Sequence, residues 1–284
     1  MTAPVGIIAI YAALAVWTGL LVHAWRRSSY WLFAIFGIGV MLILNAGYFL
    51  NGVPDSIAFF VGIYDVLDNL GTDAAPALAT CPQNTCSVWG DQYLNHPSWG
   101  VAFYDRFANG PAMRSALLYG HLGFNSVVFV IAHIQLARPG HGLHKNTHRL
   151  LGKVSFVCLT VGTLCALVLA SQHGNVESYG GVLSTLGFWF MSLCVYGCAV
   201  MGIVAVRNGD AGLHRIWMIR FLGAMWGAYW LFRVMLFVLG PLLRNWDSAA
   251  ILTCIWFSAP LGILIAEWFR RKVLSTEKLT PQIA

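Results

Sequence analysis

Apolar residues fall into seven long runs separated by polar turns, at about 5–24, 30–51, 113–137, 148–170, 182–206, 214–240 and 249–269. Each run reaches or approaches the roughly 20 residues that a helix needs to cross the hydrocarbon core of a bilayer. Lipid offers the backbone no hydrogen-bond partners, so a lipid-exposed run must close its own bonds as a helix. The pattern predicts an all-α fold, a polytopic membrane bundle of seven transmembrane helices. The first run has neither a basic start nor a small-residue cleavage site and reads as a retained helix, not a signal peptide. The expected organisation is an N-terminal hairpin (1–51), an extracytoplasmic segment (52–112), a four-helix core (113–240), a seventh helix (241–272) and a cytoplasmic tail (273–284).

Composition agrees with this reading. The chain is 58% hydrophobic and only 10% charged, against about a quarter charged in soluble domains. Under seven spans, Arg26, Arg27, Arg138, Lys145, Arg149, Lys153, Arg207, Arg215, Arg220 and Arg270–Lys272 gather on one side. Arg106, Arg114 and Arg244 lie on the other, with Arg233 inside a span. The positive-inside rule then puts the N-terminus outside and the C-terminus in the cytoplasm, as expected for a multi-pass protein of a bacterial inner membrane. The formal charge of +6 reflects topology and gives no indication of nucleic-acid binding.

The segment 52–112 is too long to be a simple connection, and a loop of this length usually has structure or function of its own. Its aromatics alternate with turn residues from Trp89 to Phe107, which suits a lid at the membrane interface or a docking site for membrane-protein partners. Cys81 and Cys86 lie in it, on the oxidising side, and are expected to form a disulfide.

Polar residues inside the spans are the functional candidates, because they are costly in lipid and must face protein or cavity. On a helical wheel, Arg114, Asn125 and Gln135 fall within about 40° of His121 and form one stripe along the third run, while His133 lies about 120° away. The fourth run carries a complementary face of His148, Gly152, Ser155, Gly162 and Ala166, small enough for a neighbouring helix or flat ligand to approach closely. Arg215 and Arg233, eighteen positions apart on the sixth run, are expected to share a face.

Depth sorts these residues into two clusters. The outer one holds His121, Asn125 and Arg233, with Asn45 and Tyr48, and with His173 and Glu177 in the following loop. Arg233 needs a counter-charge from Asp65, Asp68, Glu177 or an anionic ligand. The inner one holds His133, His148, Arg149, His214, Arg215, Arg220 and Glu267, with Arg220 and Glu267 at matching depth for a salt bridge. His148 and His214 meet the depth condition for two axial ligands of a haem b, with Arg149 and Arg215 beside them for the propionates. Few carboxylates lie in the spans, so no zinc or di-iron site is expected. A retinal pigment is excluded because no lysine sits mid-span in the seventh helix.

The polar helix with His121 and Gln135 belongs to a wider pattern. It includes the opening His148-Arg149-x-x-Gly152-Lys153, the opening His214-Arg215-x-Trp217-Met218-Ile219-Arg220, and Arg233. In these features residues 113–240 resemble the predicted membrane proteins grouped as domain of unknown function 2306. That resemblance implies a helical membrane core and no particular activity or cofactor. The His-Arg dipeptides alone are similar to those of haem A synthases.

Three function classes follow. The first is a b-type haem-binding or quinone-interacting redox protein. The second is a non-enzymatic accessory or scaffold subunit, bound to membrane lipids through its His-Arg turns and to partners through residues 52–112. The third is a transporter or enzyme for a lipophilic anion.

Overall fold

The computed structural model describes residues 3–27, 30–57, 111–136, 145–171, 181–242 and 247–279. Among these residues the protein is all-helical: α1 (Ala3–Arg27), α2 (Trp31–Asn51), α3 (Ala112–Leu136), α4 (Lys145–Ala170) and α5 (Gly181–Arg207). Then come α6 (Ala211–Trp226), a π turn (Gly227–Leu231), α7 (Phe232–Leu242) and α8 (Asp247–Leu279). Six stretches of the described residues are long and apolar enough to cross a membrane, with α6, the π turn and α7 acting as one. Cys81, Cys86, Asp65, Asp68, His96, His173 and Glu177 lie outside the described residues.

The bundle is built outward from the α6–α7 rod, which packs on α5, α8 and α3, while α3 pairs with α4 and α2, and α1 with α2. The turn from α5 into α6 shows the local causes at work. Gly209 takes φ +81°, which only glycine adopts without a Cβ penalty. This lets Asp210 N–H bond Ala205 O at 3.0 Å and Gly209 N–H bond Val206 O at 3.1 Å, closing the last carbonyls of α5 in a Schellman motif. The Asp210 carboxylate then caps α6 by accepting from Leu213 N–H at 2.7 Å.

Between α6 and α8 the backbones touch. A Cβ on Gly223 would lie 2.6 Å from Gly262 O and 2.5 Å from the Ala266 Cβ. Small residues let membrane helices pack this tightly where the hydrophobic effect supplies no drive. An aromatic layer lies beside this crossing, on the half of the bundle nearer the basic turns. Trp17, Phe33 and Phe129 surround Trp226, with ring centroids 6.5, 4.5 and 5.3 Å away.

Candidate functional site

The polar stripe on α3 is a seam of hydrogen bonds onto α4. Arg114 donates to Leu169 O at 3.0 Å, the Nδ1 of His121 meets Gly162 O at 3.2 Å, and Gln135 donates to His148 O at 2.8 Å. Each step along α3 is matched by an equal step back along α4, as antiparallel helices in register require. The small face predicted on α4 makes this possible. A Cβ on Gly162 would stand 2.9 Å from the Asn125 amide, and one on Gly152 would stand 3.8 Å from Gln135 Nε2.

Next to this seam lies a cavity of about 350 Å³, walled by α2, α3, α4, α5, the α6–α7 rod and α8. Its polar groups include Asn45, Tyr48, His121, Asn125, Tyr229 and Arg233. Phe129, Met191, Val195 and Met225 form part of its apolar wall. This is the size and the mixture of lining found in small-molecule sites. The outer cluster of the sequence is thus a real assembly: His121, Asn125, Arg233, Asn45 and Tyr48 all face one space.

Arg233 is the cavity's cation. Its guanidinium bonds Tyr229 O and lies 4.4 Å from the centre of the Tyr229 ring. Among the described residues the ion pairs all belong to Glu267, so Arg233 meets no carboxylate there. The π turn sets its direction. Phe232 N–H bonds Gly227 O, five residues back, and the extra residue in the turn rotates everything beyond it by about 100°. The expected common face of Arg215 and Arg233 is therefore lost: Arg215 is exposed while Arg233 lines the cavity. No periodicity in the sequence announces such a turn. Sequence reasoning also passed over Tyr229, although it stands four residues before Arg233.

Several polar atoms along this wall lack partners among the described residues. Asn45 Oδ1, Ser184 Oγ and Tyr229 Oη are buried and make no hydrogen bond there. Each such orphan costs about 1–3 kcal/mol, so their collection around one cavity marks a place built to receive polar groups.

The inner cluster divides. His133 is fully buried; its Nδ1 donates to Phe129 O at 2.7 Å and its Nε2 accepts from Trp226 Nε1–H at 3.1 Å. Trp226 shares that hydrogen with the Tyr30 hydroxyl, also at 3.1 Å. With both ring nitrogens occupied, His133 is a packing residue that ties α2, α3 and α6 together. Glu267 accepts from Arg220 at 3.4 Å, as expected, and also from Arg270 at 2.9 Å and Arg271 at 3.2 Å. His148 and His214 do come together. Their rings are 6.4 Å apart and nearly perpendicular, with His214 Nδ1 bonded to Gly202 O at 2.8 Å. Arg149 and Arg215 are exposed beside them. Among the described residues no three His, Cys, Asp or Glu side chains cluster as a metal site would require.

The site and fold define a polytopic helical membrane protein with an internal cavity. The chain belongs to the family described as "Predicted membrane protein (DUF2306)", whose model matches residues 118–269. The match runs beyond the 113–240 stretch of the sequence pattern and takes in the cavity wall on α8. No curated protein and no solved structure matches this chain.

Proposed function

We propose that this protein is a membrane binding protein, a transporter or an enzyme, for a lipophilic molecule with an anionic head. The observation that carries this reading is Arg233, a cation lining a largely apolar cavity and paired with no described carboxylate. A charge inside the membrane needs an opposite charge or a ring of acceptors, and the ligand's head supplies it. A planar guanidinium presents paired N–H donors matched to a carboxylate or phosphate. The apolar wall receives the ligand's body.

The topology in this reading has seven spans. The 25-residue α1 covers about 37 Å at 1.5 Å per residue, enough to cross a bilayer as the first span. The basic turns then face the cytoplasm and the N-terminus faces outward, in a bacterial inner membrane.

The test is mass spectrometry of the small molecules extracted from protein purified in mild detergent. The wild type is expected to carry a lipophilic acid in near-stoichiometric amount, and Arg233→Gln to lose it. Identical extracts from the two, containing only bulk lipid, would overturn the reading.

A second reading, a haem b between His148 and His214, is favoured by one observation: the two imidazoles lie 6.4 Å apart, one from each of two neighbouring helix starts. A reduced-minus-oxidised absorption spectrum decides it. A sharp α band abolished by His148→Ala or His214→Ala is expected if haem binds, and a flat spectrum from folded, haem-supplied protein removes the idea.

A further inference from the structure

The ring of His121 is held in an unusual way. Its Nδ1 has two neighbours with opposite demands. Gly162 O, at 3.2 Å, can only accept a hydrogen; Asn125 Nδ2, at 3.0 Å, can only donate one. The Asn125 amide is itself oriented by donating to His121 O at 2.8 Å, so its nitrogen is the atom turned to the ring. When Nδ1 carries the proton it satisfies Gly162 O, and Nε2 presents a lone pair. When Nδ1 is bare it accepts from Asn125, and Nε2 carries the hydrogen. Each neutral tautomer leaves one contact unmet. The doubly protonated ring meets Gly162 O and still carries a hydrogen on Nε2. Among the described residues nothing bonds Nε2, and the ring lines the cavity.

We propose that His121 Nε2 exchanges a proton with the bound ligand, and that the ligand is a lipophilic carboxylic acid. This rests on the anion-binding reading of Arg233. The neutral acid is the form that partitions from lipid. In the cavity its O–H bond breaks and the electron pair stays on the carboxylate oxygen. The Nε2 lone pair forms the new N–H bond, so no electron acceptor is needed. The carboxylate then lies between the Arg233 guanidinium and the His121 imidazolium, and Nδ1–H is fixed on Gly162 O. The two cations then share one anion, and the protonated ring has an opposite charge beside it only while that anion is present.

Among the described residues, the other titratable or charged groups around the ring are few. They are Tyr48 on α2 and Tyr229 and Arg233 on the α6–α7 rod, all lining the same cavity. Cys165 on α4 stands beside Gly120, its Sγ 3.0 Å from where a Cβ would be. The charge of Arg233 acts on His121, Tyr48 and Tyr229 alike. The tyrosines and the thiol stay protonated near neutrality and do not accept a further proton there, which makes His121 the base among the described groups.

The experiment measures octanoate binding to the full-length protein in lipid nanodiscs from pH 6 to pH 9, where a carboxylic acid in water stays ionised. Taking up the anion from water requires one proton from solution. Calorimetry of the wild type in two buffers of different ionisation enthalpy should therefore count about one proton per octanoate. Affinity should fall about tenfold per pH unit on the alkaline limb. His121→Gln and His121→Asn should flatten the pH profile and weaken binding, most at the acid end, where the wild-type ring carries its proton. Octanol, the uncharged control, should show no pH dependence with any variant.

A wild type that takes up no proton, or a His121→Gln protein with an unchanged slope, overturns the proton-exchange role and leaves Arg233 as the anion site. Arg233→Gln should lose octanoate at every pH. If it binds as well as the wild type does, the anion-binding reading fails along with this one. A wild-type count of zero overturns the role with no substitution at all, and the two conservative variants, His121→Gln and His121→Asn, assign a count of one to the ring.

Discussion

At the scale of single residues, the cavity depends on what α4 leaves out. Gly162 has no side chain, and in that space the Asn125 amide sits against the helix and orients His121. Gly162→Ala would set a methyl 2.9 Å from both the nitrogen and the oxygen of that amide, so the amide must move. The expected result is ligand affinity lowered about tenfold, roughly 1.4 kcal/mol, with little loss of thermal stability; extraction and titration in parallel check it. Trp226 illustrates the opposite case, a polar group that lies off the cavity lining and is bonded to Tyr30 and His133. Trp226→Phe removes the donor to His133 Nε2 and to Tyr30. It should destabilise the fold by about 1–3 kcal/mol, read from unfolding in denaturing detergent, and leave ligand content per folded molecule unchanged. If ligand content falls instead, His133 belongs to the site after all.

At the scale of elements, the π turn Gly227–Leu231 decides the site. Helices α6 and α7 are one rod, and the turn lets the two parts serve different purposes. Before it, Gly223 meets α8 backbone to backbone; beyond it, Arg233 faces the cavity. A turn with one residue too many is less well bonded than an α-helix, and such turns recur at functional sites. Deleting Ala228 removes the extra residue, so an unbroken α-helix should form with the arginine left facing the cavity. The expected outcome is a membrane-inserted, helical protein that still carries the lipophilic acid. Loss of the acid from a folded deletion variant would show that the π turn does more than set the register of Arg233.

At the scale of the whole molecule, polarity is arranged in layers. The cavity lies toward the end of the bundle where α2 ends and α3 begins. The layer of Trp17, Phe33, Phe129 and Trp226 separates it from the basic turns. At the basic end, Glu267 gathers Arg220, Arg270 and Arg271, a network joining α6 to α8. The proposed topology predicts that a cysteine replacing Asn208, in a background lacking the native cysteines, is labelled by an impermeant maleimide only from the cytoplasmic side. Labelling from the outside would invert the orientation, and with it the side from which the cavity is reached.

Several of these features were legible in the sequence because they depend on spacing alone. The length of the apolar runs set the helices, since the bilayer requires a certain rise and a closed backbone. The seven-residue step from Arg114 to His121, with Gln135 further on, put those residues on one face before any partner was known. The small residues of α4 marked where a neighbour could come close. Other features depended on which helix lies opposite which, and only the packed bundle decided those. His133 looked like a member of the inner functional cluster until Trp226, 93 positions away, proved to occupy its second nitrogen. Arg215 and Arg233 were expected on one face until a single extra residue in the π turn separated them. Local periodicity determines what a helix can present. Whether a buried polar atom is satisfied or left free for a ligand is set by contacts between distant segments, which periodicity does not encode.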